Sequence, residues 1–187
     1  GLDVLFISLE MPALEIQQRL LAGLAGIPLG EVKRAENPAM IAAAERLSNL
    51  SIWVEDGHSE PRLPLDLEGI GALVRVFTAT PSERHRVVLI DYLQFVQTRK
   101  RFERRHELVG HVCRELKRLA RDAEVPIIVA AQLNRAVEQR GKEARPQMSD
   151  FGESSDIEKN ADKALLLHRD FDAEATFIKV AKNRQGP

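Results

Sequence analysis

An aspartate stands at the end of an uninterrupted apolar run, Val87-Val88-Leu89-Ile90-Asp91. Runs of this kind, rich in β-branched side chains, are typical of a central strand in a parallel sheet, where helices cover both faces. Open α/β sheets bind their ligands at the carboxyl ends of such strands. A carboxylate at that point can hold the Mg²⁺ that accompanies a bound nucleotide, or it can simply open a polar turn.

Two further predicted strands also run into polar side chains. Leu2–Ser8 is followed at a distance of two residues by Glu10, and Pro126–Ala131 is followed directly by Gln132. Because the carboxyl ends of parallel strands meet at one edge of a sheet, we expect Glu10, Asp91 and Gln132 to lie close together. Polar groups at the same end of successive buried strands indicate a site for chemistry more strongly than any one of them alone.

The predicted elements that must position these residues alternate between strands and helices. We expect helices after Pro12, from Pro38 to about residue 47, over 65–77 and, as a long amphipathic helix, over 108–119. Further strands are expected over 50–54, 164–167 and 176–181. This alternation predicts right-handed βαβ units and a parallel sheet, which is an α/β fold.

Basic side chains are concentrated in two predicted loops. The loop 97–106 contains Phe102 and five basic residues, namely Arg99, Lys100, Arg101, Arg104 and Arg105. The loop 136–148 lacks apolar periodicity and, with the residue before it, carries Arg135, Arg140, Lys142 and Arg145. Such loops can follow the backbone of a single-stranded nucleic acid, or they can be solvated connections.

Composition narrows the class of protein. A chain of 187 residues with 44% hydrophobic and 29% charged residues has the size and composition of one globular α/β domain. The net charge of −1 argues against nucleic-acid binding over the whole surface, so any such contact must be local. The single cysteine, Cys113, excludes an intramolecular disulfide. The five histidines lack metal-ligand spacing, and neither a membrane span nor a signal peptide is evident.

Five segments together resemble the RecA-like motor domain of the DnaB-type replicative helicases. The first four are Ser8-Leu9-Glu10-Met11-Pro12, Ile90-Asp91-Tyr92-Leu93-Gln94, Gln132-Leu133-Asn134-Arg135 and Lys182-Asn183-Arg184-Gln185-Gly186-Pro187, and they occur in the order found in that family. The fifth, 149–158, resembles the family's DNA-binding loop and the helix after it. The resemblance covers nearly the whole chain, and it implies a RecA-like three-layer α/β domain with a mainly parallel central sheet, truncated at both ends.

The resemblance also implies a role for each matching residue. Glu10 corresponds to the catalytic glutamate that orients the attacking water, and Asp91 to the Walker B aspartate that holds Mg²⁺. Gln132 corresponds to the sensor of the γ-phosphate. Lys182 and Arg184 correspond to the basic finger that reaches the nucleotide of a neighbouring subunit, although exposed basic residues at a strand end are commonplace.

The ligands and partners that the resemblance implies follow from these roles. ATP and Mg²⁺ are the expected cofactors, and single-stranded DNA is the expected substrate, in a ring that we expect to be hexameric. A primase and a helicase loader are further expected partners, in the cytoplasm of a bacterium or in a phage replication system. The DNA contacts would come from Arg99, Lys100, Arg101, Arg140 and Lys142 of the basic loops and from Gly152 and Glu153 of the loop at 149–153.

Two departures from the family pattern leave alternatives open. The glycine-rich phosphate loop is absent from these residues, as expected for a fragment of a longer protein, but also for a degenerate homologue that serves as a binding or assembly module without ATPase activity. Glu10, Asp91 and Arg184 would have little purpose in a dead site, which favours the fragment. In the DNA loop, Gly152 and Ser155 replace the family's arginine and glycine, which removes a phosphate ligand. A recombinase or a clock-type ATPase is a further alternative, against which the first and the last matching segments speak.

Overall fold

The computed structural model describes residues 1–32, 38–57, 65–134, 145–151, 154–170 and 174–186. Arg140, Lys142, Gly152 and Glu153 lie outside the described residues, so their predicted roles stay predictions. The chain forms two compact units. Unit 1 comprises Gly1–Arg99 and Ala123–Ala130, and unit 2 comprises Lys100–Asp122 and Ala131–Pro187.

Unit 1 is built on a four-stranded parallel sheet. Its strands are β1 (Leu2–Ser8), β2 (Ser51–Glu55), β3 (His85–Asp91) and β4 (Ile127–Val129), in the order β2-β1-β3-β4. The predicted parallel sheet is therefore confirmed. The strands that lead to Glu10 and Gln132 both lie next to the Asp91 strand, as the sequence predicts.

In the part of unit 1 that the structure describes, the α-helices are α1 (Ala13–Ala25), α2 (Pro38–Ser48) and α3 (Leu67–Ala79). Gly26 ends α1 with a left-handed backbone, φ 68°, which only glycine adopts without strain. Asp66 begins α3, because its carboxylate accepts a hydrogen bond of 2.8 Å from the Gly69 N–H. The core contains Ile7 of β1 and Ile90 of β3, which are 0% and 1% exposed.

Strand β4 is shorter than the predicted 126–131. Regular pairing covers three residues, but backbone hydrogen bonds to β3 continue on both sides of it. The Val88 N–H donates to the Pro126 carbonyl over 3.0 Å, and the Ala130 N–H donates to the Ile90 carbonyl over 2.9 Å. The apolar run is thus held along β3 over almost its whole length.

Among its described residues, unit 2 contains the α-helices α4 (Arg105–Asp122) and α5 (Ser154–Asn160). Helix α4 buries Val109, Val112 and Leu116 along one face, as its period of 3.6 predicts. It begins at Arg105, so the predicted loop 97–106 ends two residues earlier than expected. No described helix is long and apolar enough to cross a membrane.

The last two strands of unit 2 form a hairpin. Strands β5 (Lys163–Asp170) and β6 (Ala175–Asn183) pair with each other in an antiparallel sheet of their own, a pairing that the sequence did not predict. Only four residues separate them, and a parallel pair requires a crossover of a dozen or more. Leu166 is buried on one face of this hairpin, while its neighbours Leu165 and Leu167 are exposed.

Candidate active site

The end of β1 and the end of β3 are joined at the level of Asp91. Ser8 is the register partner of Asp91, and the Leu9 N–H donates a hydrogen bond of 2.7 Å to the Asp91 carbonyl. Glu10, the next residue, is exposed, and Asp91 is partly exposed. The Asp91–Tyr92 peptide bond is cis. Two carboxylates thus leave adjacent strands at the same edge of the sheet, within reach of solvent.

Ser8 shapes the turn that carries Glu10. Its hydroxyl is fully buried, donates a hydrogen bond of 2.6 Å to the Met11 carbonyl and accepts one of 3.1 Å from the Met11 N–H. The Ser8 side chain therefore closes the turn by bonding both backbone groups of Met11, and Glu10 lies within this turn. Serine is suited to this because its hydroxyl is both a donor and an acceptor.

Asp56 binds the first residue of α1, which follows this turn. Pro12 precedes α1 without a side-chain cap of its own, and the Ala13 N–H instead donates a hydrogen bond of 2.6 Å to Asp56 Oδ2. Asp56 follows β2 directly and is only 5% exposed. A carboxylate at a helix N-terminus satisfies a free N–H and complements the helix dipole. Asp56 was not predicted from the sequence, where its only signal is a carboxylate two residues after the predicted strand 50–54.

Gln132 belongs to unit 2 and is exposed. It comes three residues after β4, in a segment whose Asn134 N–H donates a hydrogen bond of 2.7 Å to the Asp150 carbonyl. The strands that lead to Glu10 and to Gln132 both lie next to the Asp91 strand, whereas the predicted proximity of Gln132 to Glu10 and Asp91 stays a prediction.

Lys182 and Arg184, which the resemblance predicts to be the basic finger, are bound at the end of α5 in unit 2. Lys182 Nζ donates to the Glu158 carbonyl, and an Arg184 guanidinium nitrogen donates to the Lys159 carbonyl over 2.6 Å. The last carbonyls of a helix have no partner within the helix and carry its negative end, so cations are favoured there.

Asp162 completes the surroundings of Arg184. The Arg184 backbone N–H donates to the Asp162 carbonyl over 3.0 Å, and the guanidinium lies 3.6 Å from the Asp162 carboxylate. Lys117 of α4 donates to the same carboxylate. The hydrogen bond from Lys117 lowers the pKa of Asp162 most, and the charges of Lys117, Arg184 and Lys182 lower it further against the opposing effect of burial.

Of the three basic residues predicted to open the first DNA-contacting loop, Arg99 is engaged within unit 1. Its Nε lies 3.0 Å from Asp66 Oδ2, and its backbone N–H donates over 3.4 Å to Glu68. Burial raises the pKa of Asp66, but the Gly69 N–H and the Arg99 guanidinium together lower it by more. Lys100 and Arg101 belong to unit 2 and are exposed. In the second basic loop, Arg145 stacks its guanidinium over the Phe177 ring at 5.2 Å.

Comparison with known proteins identifies the family. The family model described as "DnaB-like helicase C terminal domain" matches residues 1–187. The chain belongs to this family. It is 36% identical to the "Replicative DNA helicase DnaB" of Leifsonia xyli, over 100% of this chain and 42% of that protein. It is 35% identical to the protein of the same name from Geobacillus stearothermophilus, over 99% and 42%.

Solved structures support the same assignment. "The Structure Of A DnaB-Like Replicative Helicase And Its Interactions With Primase" matches with a TM-score of 0.87 and 29% identity, over 99% of this chain and 46% of that chain. A second solved structure, titled as an "ATPase Domain", matches with a TM-score of 0.86 and 28% identity, over 99% of this chain and 68% of that chain. The predicted DnaB-type family and RecA-like fold are confirmed. The chain spans less than half the length of the curated relatives named above.

The carboxylates of this DnaB-like domain fit a metal that arrives with a nucleotide. Among the described residues, no group of three or more His, Cys, Asp or Glu side chains is placed to hold a metal ion. Mg²⁺ at nucleotide sites needs only one or two carboxylates, because phosphate oxygens and water complete its six ligands. Asp91, partly exposed at the strand end, is suited to that role.

Proposed function

We propose that this chain is the motor domain of an ATP-dependent replicative DNA helicase, which hydrolyses ATP between the subunits of a ring, moves along single-stranded DNA and unwinds the duplex. The observation that carries this proposal is the in-register joining of β1 and β3, which places Glu10 and Asp91 at one carboxyl edge. Membership of the DnaB-like family supports it, since the matched relatives are named replicative DNA helicases.

Hydrolysis in this proposal depends on the two carboxylates in different ways. Asp91 would hold Mg²⁺, and the ion would supply neutralisation of the charge on the phosphate oxygens of ATP. Glu10 orients the water that attacks the γ-phosphate and accepts its proton. The fixed turn around Ser8 and the cap from Asp56 keep the Glu10 backbone in place, which is the main requirement of a reaction that depends on positioning.

Gln132 and the pair Lys182 and Arg184 have further roles in this proposal. Gln132 senses the γ-phosphate and couples it to the DNA loops. Lys182 and Arg184 reach the nucleotide of the next subunit, where an arginine supplied in trans is typically worth ~10³–10⁵ in rate. Arg184 is exposed at the end of β6, which is compatible with that role.

We assign the DNA contacts to the basic loops that would line the ring. Lys100 and Arg101 are exposed and can follow a phosphate backbone without reading its sequence. Arg99 contributes through the donors that its ion pair with Asp66 leaves available. Arg140, Lys142, Gly152 and Glu153 complete the proposed contacts.

The partners of the whole protein follow from the relatives. We propose a homo-oligomeric ring, expected to be a hexamer, that works at the bacterial replication fork in the cytoplasm. Primase is a proposed partner because one matched structure is titled for its interactions with primase. A helicase loader is a further proposed partner.

Two substitutions test the proposal. They are made in a protein that contains this domain together with a phosphate loop, which is called below the protein that carries the phosphate loop. Glu10→Gln should abolish hydrolysis yet leave nucleotide binding largely intact, because an amide fills the same space but cannot accept the proton. Asp91→Asn should also weaken Mg²⁺-dependent nucleotide binding, because it removes a carboxylate near the ion. ATP turnover and equilibrium binding of a fluorescent ATP analogue, with and without Mg²⁺, measure the two effects.

The same experiment decides against the proposal if Glu10→Gln turns over ATP at a near-normal rate. A protein that carries the phosphate loop but neither binds nor hydrolyses ATP would instead support the alternative, a RecA-like binding or assembly module. Glu15→Gln is a matched control, because Glu15 lies in the first turn of α1 and pairs with Arg19 on its surface.

A further inference from the structure

Arg184 is held by one short stretch of chain that begins in α5 and ends at Asp162. Its backbone N–H and its guanidinium both meet Asp162, at 3.0 Å to the carbonyl and 3.6 Å to the carboxylate. The guanidinium also donates to the Lys159 carbonyl. The residue before β5 and the residue after β6 are thus joined across the open end of the hairpin.

Asp162 is itself anchored to a second element. Lys117, near the end of α4, donates to the carboxylate that faces Arg184. The Asp162 carboxylate therefore bridges Lys117 of α4 and Arg184 after β6. Since its side chain is 53% exposed, the bridge lies at the surface of unit 2.

We propose that Asp162 is a positioning residue for Arg184, holding the guanidinium so that it is presented in one orientation to the nucleotide of the next subunit. This inference rests on the proposed role of Arg184 in trans. An arginine side chain has several rotatable bonds, and a carboxylate attached to α4 restricts them before the subunits meet. A group fixed in advance stabilises a transition state at lower entropic cost than one that must be ordered during the reaction.

Mixed rings provide the test, with the protein that carries the phosphate loop. Rings formed from equal amounts of Glu10→Gln and Arg184→Ala subunits should regain hydrolysis at about a quarter of their interfaces, because a heterologous interface draws one group from each partner. Asp162→Asn should complement on the same side as Arg184→Ala: mixed with Glu10→Gln it should turn over ATP faster than either variant alone, and mixed with Arg184→Ala it should not exceed its own rate. A variant that only destabilises the fold would not be complemented by Glu10→Gln and left uncomplemented by Arg184→Ala.

The kinetics of the unmixed variant give a second measurement. Asp162→Asn should lower kcat roughly tenfold and leave KM for ATP unchanged. The expected loss is smaller than the ~10³–10⁵ in rate that an arginine in trans supplies, because Arg184 itself is still present. Asp162→Glu, which keeps the charge, should recover part of kcat. Asp122→Asn, the same change at the end of α4, is the matched control and should match the wild type.

The outcomes separate this inference from the proposed function. If Arg184→Ala and Glu10→Gln fail to restore each other, the role of Arg184 in trans is wrong, and this inference is wrong with it. If they do restore each other but Asp162→Asn keeps full kcat or is rescued by Arg184→Ala, only the inference is overturned. If Asp162→Asn does not assemble, Lys117→Met is the alternative variant, because it keeps the Asp162 carboxylate but removes its bond to α4. An assembled Lys117→Met ring with wild-type kcat would also overturn the inference.

Discussion

Glu10 owes its position to residues that do not touch the nucleotide in our proposal. Ser8 closes the turn from within, and Asp56 fixes the start of α1 from the end of β2. Asp56→Ala should lower the free energy of unfolding by about 1 kcal/mol, the usual cost of removing a helix N-cap. Urea unfolding of the chain measures this. Asp56→Asn keeps an oxygen that can accept from Ala13, so a loss as large as that of the alanine variant would contradict a capping role.

At the opposite end of β1, Asp3 makes stability depend on pH. The Ser82 hydroxyl donates a hydrogen bond of 2.6 Å to the buried Asp3 carboxylate. That bond, a second from Ser51 and the charges of Arg84 and Arg86 hold the pKa of Asp3 below its usual 3.8, against the effect of burial. The charged form is therefore favoured by folding, so its stabilisation is complete well above pH 4 and is lost as the pH falls through the lowered pKa.

Ser82→Ala tests this dependence. The variant should be less stable than the wild type at pH 7, and the difference should shrink as the pH falls below 4, because protonated Asp3 gains less from the Ser82 hydroxyl. Urea unfolding at a series of pH values measures both chains. A difference that stays constant between pH 7 and pH 3 would show that the Ser82 bond does not favour the charged form.

The sequence predicted the edge of the sheet at which Glu10 and Asp91 lie, and it missed residues whose contacts depend on a distant element. Glu10 and Asp91 each follow a buried apolar run, so their placement at one edge needed only a parallel sheet. Asp56 acts on a helix 43 residues away in sequence. Asp162 meets Arg184 only because β5 and β6 form a hairpin, and that pairing was not predicted.

At the scale of elements, α4 and α5 approach closely at Gly110. A Cβ at this position would lie 2.4 Å from Asp156 Oδ2 and 2.9 Å from its Cγ. Gly110→Ala should therefore gain less than the roughly 0.5–1 kcal/mol that alanine usually gains over glycine in a helix interior, because the Asp156 carboxylate must move away from the new methyl group. Urea unfolding and amide hydrogen exchange across α5 measure the effect.

Gly23 of α1 is the matched control for this prediction. Among the described residues nothing lies within 4 Å of a Cβ built there. Gly23→Ala should therefore stabilise the chain by roughly 0.5–1 kcal/mol, the usual preference for alanine in a helix interior. If both alanine variants gained the same stability, the close approach of α4 and α5 at Gly110 would carry no cost.

The elements themselves were predictable where periodicity was strong. Helix α4 and strand β3 have uniform apolar patterns, and both were predicted within three residues of their observed ends. The hairpin β5–β6 was predicted as two strands without their pairing, because alternation of apolar residues reports which face is buried but not which strand is the partner. Only the short connection between the two strands carried that information.

At the scale of the whole molecule, the proposed chemistry joins groups from two subunits. Glu10 and Asp91 belong to unit 1, while Arg184 leaves the end of the hairpin in unit 2. If Arg184 completes the site of the next subunit, ATP turnover per subunit should rise with protein concentration as rings form, in the protein that carries the phosphate loop. Turnover measured over a dilution series, beside sedimentation velocity at the same concentrations, tests this.

Arg184→Ala shows what remains without the finger. Its turnover should stay low at every concentration, yet it should bind ATP as the wild type does, because binding rests mainly on the phosphate loop. The concentration at which wild-type turnover rises should coincide with the one at which sedimentation shows assembly, since both report the same interface. Full turnover by a wild-type monomer would place Arg184 in its own subunit's site or remove it from the reaction altogether.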